Sequence, residues 1–412
     1  MKTGKNLREI TRNVFLEIDR LFPEEVELLQ QLIRMPSVNP PGKYEEIATF
    51  LESFAREHGL RCEVYETPQD LCRSAGVDSE ERRLSVKTTA PMRRAGSRIL
   101  LLGHLDTVPA GDKAEWRHDP FGGEIADGRV YGRGACDCKG RVAAYLYAQL
   151  ALAKVLGETP FEVSVAATAD EEIGGKTGAA YLLQNGSLDC DYCIGEGYTW
   201  EVFNGFKGLL WSRVSIEGKS AHGATPLLGK SVVQPLEDLL KELRGYQTTL
   251  GSRRETAETT LNIGTVRAGE KINMVPASAT IEIDMKVGEG YRLQQAADDI
   301  SGIVNRVAES YKDLKIRVDF PNRNEPIALP PNHVLAKVVQ SSVEEVTKTS
   351  IPIRLWFAHS DTVHFLRRGI PCVNYGVGRA GVAHTADEHV ELEDLKLSTK
   401  AVALAVMKLG MV

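Results

Sequence analysis

The chain has 412 residues, of which 42% are hydrophobic and 26% charged, a composition typical of a globular protein with a sizeable core. The 50 Lys and Arg residues against 56 Asp and Glu give a net charge of -6, which argues against a general nucleic-acid binder. No apolar run approaches the roughly 20 residues of a membrane helix, so no membrane partner is expected. Seven cysteines, an odd number, and an N-terminal region broken up by charges predict reduced thiols and a cytoplasmic protein.

The first half of the chain is predicted to alternate helices with strands. Apolar residues at helical spacing indicate two helices before Pro36, the second of which starts at Pro23. Residues 68–98 are charged and show no pattern that predicts an element. Strands are predicted over 99–102, 161–167 and 192–194, and helices over 142–156 and 177–183. This alternation favours a mostly parallel sheet covered by helices.

The pattern changes near Phe206 and changes back near Pro331. Between these points, strands over 209–216, 255–264 and 277–287 and helices over 232–243 and 293–310 predict a separate α+β block. After Pro331, helices are predicted over 335–346 and 395–409 and a strand over 371–375. The predicted fold class is therefore α/β, with a mostly parallel sheet flanked by helices and a smaller inserted α+β domain. Residues 1–205 and 320–412 would form the larger domain and residues 206–319 the inserted one.

Five segments place His or carboxylate side chains where a strand is predicted to end. Open parallel sheets bind ligands beyond the carboxyl ends of their strands, so these side chains can converge although they are far apart in sequence. The segments are 103–106 with His104 and Asp106, 132–140 with Asp137, 168–175 with Glu171 and Glu172, 195–197 with Glu196, and 383–389 with His384.

Each segment alone also has an ordinary structural interpretation. His104 could ligate a metal while Asp106 orients its imidazole, or the two could form a simple strand-end pair. Asp137 could bridge two cations or cap the following helix. Cys136 and Cys138 could hold zinc, but in an extended loop they would point away from Asp137, which favours structural thiols. The other three segments could be solvated loops.

Together, the segments point to metal chemistry. Two histidines and several carboxylates match the mixed ligation of Zn²⁺, with Mn²⁺ or Co²⁺ conceivable. Two ions about 3.5–4 Å apart would share a bridging carboxylate and activate a water between them. A free Glu beside that water could take its proton and pass it to a leaving nitrogen.

The chain resembles the dinuclear zinc deacylases and peptidases that include acetylornithine deacetylase, succinyl-diaminopimelate desuccinylase, aminoacylase and carboxypeptidase G. The matching motifs run in the family's order from about Ser37 to Glu391, which is more specific than any single motif. They are Gly-His-Leu-Asp-Thr-Val-Pro at 103–109, Asp-Pro-Phe at 119–121, Tyr-Gly-Arg-Gly at 131–134 with Asp137, Lys139 and Gly140, Asp-Glu-Glu at 170–172, Gly-Lys-Ser-Ala-His at 218–222, and His384-Thr385 with Asp387-Glu388.

The resemblance implies a zinc-exopeptidase-like catalytic domain that binds two Zn²⁺ per chain. His104 and Glu196 would hold one ion, and Glu172 and His384 the other. Asp137 would bridge the two ions.

The resemblance also implies roles for four further residues. Asp106 would orient the imidazole of the first ligand, and Glu171 would be the general base. The inserted domain would act as a lid, make the contact of a homodimer, and supply His222 to stabilise the tetrahedral oxyanion. Asn273 would contact the substrate. Without the resemblance, His222 and Asn273 are better interpreted as ordinary polar turn residues.

The implied activity is the metal-dependent removal of an acyl group from an N-acyl amino acid or a related small substrate. A dipeptidase or carboxypeptidase with the same site is the nearest alternative. A non-catalytic dimeric scaffold is an alternative of another class, and the intact ligand set with Glu171 argues against it. Lys286 stands where the family often has Arg, which keeps the charge but loses the bidentate fork for a carboxylate.

Overall fold

A computed structural model of the chain describes residues 2–77, 79–91, 96–157, 159, 161–250, 252 and 258–410. Its helices are α1 (Lys2–Ile33), α2 (Glu45–Glu57), α3 (Gln69–Ser74), α4 (Gly140–Leu156), α5 (Ala179–Gln184), α6 (Val233–Leu250), α7 (Leu293–Ser310), α8 (Val334–Thr347), α9 (Thr362–Arg367) and α10 (Leu392–Gly410). Its strands are β1 (Arg61–Thr67), β2 (Arg83–Thr89), β3 (Arg98–His104), β4 (Glu124–Ala126), β5 (Arg129–Tyr131), β6 (Glu162–Thr168), β7 (Tyr192–Gly195), β8 (Val202–Phe206), β9 (Gly208–Glu217), β10 (Thr260–Ala268), β11 (Ser278–Val287), β12 (Lys315–Asn324), β13 (Ile327–Ala328), β14 (Ile353–Trp356), β15 (Cys372–Asn374) and β16 (His389–Glu391).

The chain forms two compact units. The larger contains the chain up to Gly205, Leu329–Arg354 and the chain from His359 onward, and the smaller contains Phe206–Ala328 and Leu355–Ala358. The sequence-based boundary of the inserted segment was residue 319, whereas the smaller unit runs on through β12 and β13. The roles assigned to the two domains stay predictions.

The larger unit is built on a mixed sheet in which β1, β2, β6, β3, β7, β15 and β8 lie side by side. The four central strands β6, β3, β7 and β15 are parallel to one another, and antiparallel strands flank them on both sides. Residues 99–104 of β3 are all buried, as expected for a strand covered by helices on both faces. The predicted α/β class is therefore confirmed.

A helix buried on every side supports the centre of this sheet. Helix α4 is buried from Gly140 to Leu152 and contacts α1, α10, β3 and β6. The buried part of this helix has no solvent-facing stripe, so its apolar residues are not confined to one face. Its first turn begins immediately after the segment that carries Asp137, and it therefore anchors that segment to the core.

The prediction of two helices meeting at Pro23 is wrong, because α1 runs through Pro23 without a break. A proline inside a helix lacks one N–H donor and disfavours the preceding turn. Here the buried face continues on both sides of it through Ile18, Leu21, Leu28 and Leu29, and α1 packs against α4 and α10. Burial of this continuous face outweighs the local cost of the proline.

The smaller unit is an α+β layer. Its antiparallel sheet has the order β10, β11, β9, β12, and α6 and α7 pack against it around a common core that includes Leu239, Ile281 and Ile300. Alternate residues of β11 are buried, as in a sheet with one covered face. The predicted strand over 255–264 is observed as β10 from Thr260, and residues 253–257 lie outside the described part of the chain.

Residues 68–98, which the sequence left without a predicted element, contain α3 and β2. Strand β2 joins β1 to the parallel centre through β6. No helix in the described ranges combines the length and the apolar character needed to cross a lipid bilayer.

Candidate functional site

The carboxyl ends of three neighbouring parallel strands meet at one edge of the central sheet. His104, the last residue of β3, is in register with Thr168, the last residue of β6, and Leu102 is in register with Gly195 at the end of β7. The loops that follow β6 and β7 carry the acidic segment 170–172 and Glu196. The strand order thus brings three of the five predicted segments to the same place, where open parallel sheets bind ligands.

A first group of donor atoms surrounds the ring of His104. Its Nε2 lies 3.1 Å from Oδ1 of Asp137 and 3.1 Å from Oε2 of Glu196. The Sγ of Cys138 joins these three, and all four ligand atoms lie within 4.8 Å of one another. The side chains of His104 and Glu196 are 1% and 5% exposed and that of Asp137 is 21% exposed, so most of this group is shielded from bulk water.

A second group uses the other oxygen of the same aspartate. Nε2 of His384 lies 3.4 Å from Oδ2 of Asp137 and 3.2 Å from Oε2 of Glu172. These three donor atoms also lie within 4.8 Å of one another. The His384 side chain is 49% exposed, so the second group opens to solvent. Asp137 is common to both groups and faces each with a different oxygen.

Asp106 ties the first histidine to the acidic loop. Nδ1 of His104 lies 3.0 Å from the carbonyl oxygen of Asp106 and 3.4 Å from its Oδ1. The same buried carboxylate accepts the backbone N–H groups of Glu171 and Glu172, each at 3.2 Å, and the side-chain amide of Asn39 at 2.9 Å. This carboxylate therefore fixes the histidine ring and the loop of Glu171 and Glu172 relative to each other.

Glu171 lies beside the first donor group without belonging to it. Its Oε2 is 3.8 Å from Nε2 of His104, and its side chain is largely buried. Burial, together with the nearby charge of Glu196, raises the pKa of Glu171 well above its ordinary value. A carboxyl group in this environment can both accept and return a proton.

Glu388 holds the segment that carries Asp137. Its buried Oε1 accepts the backbone N–H groups of Gly134, Cys136 and Asp137 at 3.1, 2.9 and 2.9 Å. Its Oε2 pairs with the buried guanidinium of Arg133. A buried carboxylate with several charge-assisted hydrogen bonds is a strong positioning device.

The acidic loop is held from the other side by Asp170. Its backbone is in the left-handed region, and its carboxylate is fully buried against Arg83, whose Nε lies 3.0 Å from Oδ2. Oδ1 of Asp170 also accepts hydrogen bonds from Tyr44 at 2.8 Å and Asn39 at 2.9 Å. These contacts fix the backbone one residue before Glu171.

A glycine closes the same loop. Gly175 has φ +64, and a Cβ added there would lie 1.7 Å from Oδ1 of Asp361. Only glycine combines this conformation with so close an approach. Asp361 is fully enclosed, accepts a hydrogen bond from Thr168 at 2.9 Å, and has its pKa raised to about 7 by burial.

A buried cation stands next to the first donor group. Nη1 of Arg141 lies 3.0 Å from Oδ1 of Asp137 and 3.3 Å from Oε2 of Glu196. Its Nε donates to the carbonyl oxygens of Gly197 and Val377 at 2.8 and 3.1 Å. The guanidinium is thus held by backbone as well as by the two acids.

Proton sharing dominates the electrostatics of the two groups. Burial alone would raise the pKa of Asp137, but hydrogen bonds from His104 and His384 and the charge of Arg141 hold it well below its ordinary value. Hydrogen bonds with Asp137 and Glu172 raise the pKa of His384 to about 10. A divalent cation would replace these shared protons, because ligands bind metal in their deprotonated forms. The donor set therefore fits a pair of metal ions.

The two cysteines on either side of Asp137, Cys136 and Cys138, have different surroundings. The sequence predicted that both would point away from Asp137, and for Cys138 this is wrong, because its Sγ reaches the first donor group and accepts the N–H of His104 at 3.3 Å. The reason is that residues 135–139 form a turn of helix with irregular dihedrals at Asp137 and Cys138, so the alternation of an extended chain does not apply. The Sγ of Cys136 instead contacts the carbonyl oxygen of Arg379 at 4.0 Å.

His222 and Asn273 lie in the smaller unit, on segments after β9 and before β11. His222 forms an isolated β-bridge with Met274, and its Nδ1 accepts the N–H of Ala224 at 3.0 Å. The carbonyl oxygen of Asn273 accepts the N–H of Gly223 at 2.8 Å. The structure thus places His222 and Asn273 side by side and exposed.

Several residues that shape the site were given no role by the sequence analysis. Glu388 and Asp170 belong to quoted motifs, and their position beside predicted ligands was a usable signal. Arg141 also has such a signal, because it follows the motif around Asp137 by one helical turn. Arg83 and Asp361 had none, since they lie far from every motif in sequence.

Comparison with known proteins assigns this chain to a family. The description "Peptidase family M20/M25/M40" matches residues 100–408. The chain is 28% identical over 388 residues to a succinyl-diaminopimelate desuccinylase of Rhodospirillum centenum, covering 91% of this chain and 94% of the relative.

Solved structures share the fold. An M20 family metallo-carboxypeptidase from Sulfolobus solfataricus superposes with a TM-score of 0.70 at 19% identity, covering 94% of this chain and all (100%) of that one. A dinuclear metal-binding peptidase of the M20 family from Bacillus subtilis gives a TM-score of 0.68 at 15% identity, with 96% and 100% covered.

Proposed function

We propose, from the premise that this chain belongs to the peptidase family M20/M25/M40, that it is a dinuclear metal-dependent amidohydrolase of N-acyl amino acids or related small substrates. Membership of the family makes the chain a hydrolase of amide bonds. The acyl-amino-acid substrate, the metal and the roles of single residues are the proposal. The substrate class is supported by the similarity to a desuccinylase over nine-tenths of the chain.

One observation carries the proposal: two groups of ligand atoms share Asp137, and Glu171 stands beside them as a carboxylate that belongs to neither. In the proposed assignment, His104 and Glu196 hold one ion and Glu172 and His384 the other, with Asp137 as the bridge. Imidazole and carboxylate donors in this mixture suit Zn²⁺, and Co²⁺ or Mn²⁺ could substitute.

The bound ions would supply Lewis acidity, which polarises a substrate carbonyl and makes water a better nucleophile at neutral pH. The chain's own residues do the rest. Asp106 keeps the ring of His104 in the orientation that presents Nε2 to the centre. An oxygen of Glu171 takes the proton of the attacking water and delivers it to the leaving nitrogen.

Two residues of the smaller unit complete the proposal. His222 would donate a hydrogen bond to the oxyanion that forms at the attacked carbonyl, and Asn273 would contact the substrate. The hydrogen bond from the Gly223 N–H to the carbonyl oxygen of Asn273 and the bridge between His222 and Met274 join the two segments that carry these residues. We also propose a homodimer in the cytoplasm, as the family resemblance and the unpaired cysteines suggest. The molar mass in solution, measured by light scattering, tests the dimer.

The variant Glu171→Gln tests the assignment of the base. It should retain the metal content of the natural chain and lose at least about a hundredfold in kcat, because general-base catalysis contributes factors of this order. Metal content is measured by atomic emission and turnover on N-acetyl, N-succinyl and N-formyl amino acids. The control Glu63→Gln alters a surface carboxylate paired with Arg61 and should leave both unchanged. Full activity in Glu171→Gln contradicts the proposed base.

The substrate class needs its own comparison. Acylated amino acids and dipeptides assayed side by side separate the deacylase from a dipeptidase or carboxypeptidase with the same site. A non-catalytic scaffold would show neither activity, with or without added Zn²⁺. Hydrolysis that disappears with a chelator and returns with Zn²⁺ contradicts the scaffold.

A further inference from the structure

We propose that Arg141 makes the two metal subsites unequal, so that the ion held by His104 and Glu196 binds more weakly than the ion held by Glu172 and His384. This inference rests on the proposed metal centre and deepens it. Arg141 is a positioning residue, because it acts through the ligands of one ion.

The guanidinium touches only one side of the centre. Nη1 of Arg141 contacts Oδ1 of Asp137, the oxygen that faces His104, and Oε2 of Glu196. Both contacted oxygens belong to the first donor group. Oδ2 of Asp137, which faces His384, is turned toward the second group. A positive charge thus sits among the ligands of one ion only.

The second group has no comparable neighbour among the described residues. Within that part of the chain, Glu172 and His384 form ion pairs with each other, and His384 also pairs with Asp137. The half-exposed ring of His384 also leaves this group in contact with water, which weakens charge effects. The first group is more buried, so the charge of Arg141 is screened less there.

Arg141 cannot readily leave when a metal ion arrives. Its side chain is 1% exposed, and its Nε donates to the carbonyl oxygens of Gly197 and Val377. Its guanidinium carbon lies 5.6 Å from the centre of the Tyr198 ring. A Cβ added at Gly376 would lie only 3.0 Å from its Cγ, so the stem is enclosed as well. Arginine also stays charged at any accessible pH.

The charge count then favours the second subsite. Cys138 is not a ligand in the proposed assignment, and its thiol is counted as neutral. With neutral imidazoles, each subsite then has the shared Asp137 and one further Glu. In the first subsite, Arg141 cancels one of these two negative charges, and it uses hydrogen-bonding capacity of both oxygens that would face the ion. The subsite of Glu172 and His384 should therefore fill first. A chain with a single bound ion should hold that ion in this subsite.

Zinc titration of the full-length, metal-stripped chain against a chromophoric chelator tests this. The natural chain should bind two Zn²⁺ with affinities that differ by about tenfold or more, since a unit charge at this distance shifts equilibria by at least that order. Arg141→Gln should tighten the weaker ion about tenfold or more and the tighter ion by a smaller factor. Arg141→Lys keeps the charge and should keep the weaker ion weak. Arg129→Gln removes a surface arginine of the same unit and should change neither affinity.

Two ligand variants assign the subsites without altering Arg141. Glu196→Gln should lose the weaker ion and keep the tighter one. His384→Asn should lose the tighter ion and keep the weaker one. Equal affinities in the natural chain, loss of the tighter ion in Glu196→Gln, or an unchanged weaker ion in folded Arg141→Gln each overturn the inference and leave the proposed function standing. A chain that binds no Zn²⁺ overturns the proposed function itself. If Arg141→Gln does not fold, the ligand variants still decide.

Discussion

The replacement Glu388→Gln should destabilise the metal-free chain and displace Asp137. In the structure one buried oxygen of Glu388 accepts three backbone N–H groups, from Gly134, Cys136 and Asp137, while the other oxygen pairs with Arg133. A glutamine has one oxygen and one NH₂ group in place of these two acceptors. In either orientation of the amide, the NH₂ group faces a donor, and the guanidinium loses its countercharge.

The size of the loss follows from the same contacts. Hydrogen bonds to a charged group contribute roughly 1.5–3 kcal/mol each, and breaking one partner of a buried ion pair costs about 3–5 kcal/mol. These contributions share one carboxylate and do not add, so we expect the free energy of unfolding to fall by about 3–5 kcal/mol. Because the N–H of Asp137 then meets either a neutral amide oxygen or an NH₂ group in place of the carboxylate, zinc affinity should fall with stability.

Urea denaturation followed by circular dichroism measures the effect, and chelator competition measures zinc affinity. Glu391→Gln is the matched control, because Glu391 pairs with Arg129 at the surface, where the arginine is 38% exposed. That change should cost under about 1 kcal/mol and leave zinc affinity intact. A loss under about 1 kcal/mol in Glu388→Gln as well would refute the reasoning that this carboxylate organises the segment.

Two pH effects should accompany this one. Glu25 is fully buried, accepts a hydrogen bond from Thr399, and has its pKa raised by burial to about 8. The folded chain therefore keeps a proton that the unfolded chain releases near the ordinary glutamate pKa of 4.5, so this stability is present below that pH and lost as pH rises through about 8. Glu25→Gln should flatten this slope in urea midpoints taken across that range, and an unchanged slope would contradict the assignment. Hydrogen bonds with Asp137 and Glu172 raise the pKa of His384 to about 10, so zinc must displace its proton at neutral pH and zinc affinity should rise with pH up to about that value. Calorimetry in two buffers of different ionisation enthalpy should detect the released proton, and an affinity independent of pH would argue against it.

Elements with a strong local pattern could be predicted from the sequence. Helix α7 has the predicted bounds Leu293–Ser310, because apolar residues repeat at helical spacing along its whole length. Strand β11 differs from its prediction by one residue, because its residues alternate between buried and more exposed positions. In both elements the local pattern and the tertiary burial agree.

Elements that depend on distant partners could not be predicted. Strand β2 has the sequence Arg-Leu-Ser-Val-Lys-Thr-Thr, whose polar residues give no apolar run, yet most of it is buried. It is a strand because β1 and β6 pair with it on either side, and its Arg83 is neutralised by Asp170. A prediction from single-chain periodicity contains neither the pairing nor the charge partner.

The site divides in the same way. The His and carboxylate side chains of the two donor groups could be singled out, because His and acidic residues at predicted strand ends form a recognisable pattern. Arg83 and Asp361, which help to position them, could not, because they act through contacts across the fold rather than through spacing. Cys138 was misplaced because alternation applies only to extended chain.

Buried carboxylates that accept backbone N–H groups fix the segments that carry the acids of the centre. Burial raises the pKa of both Glu171 and Glu172, which means that the fold holds them where their charged forms are disfavoured. Such a loop would relax into solvent unless its backbone were tied down, and Asp106 ties it through the N–H groups of these same two residues. Glu388 does the same for Asp137. The acidic side chains are thus held on a fixed backbone in surroundings that disfavour their charge, and a bound cation would offset that cost.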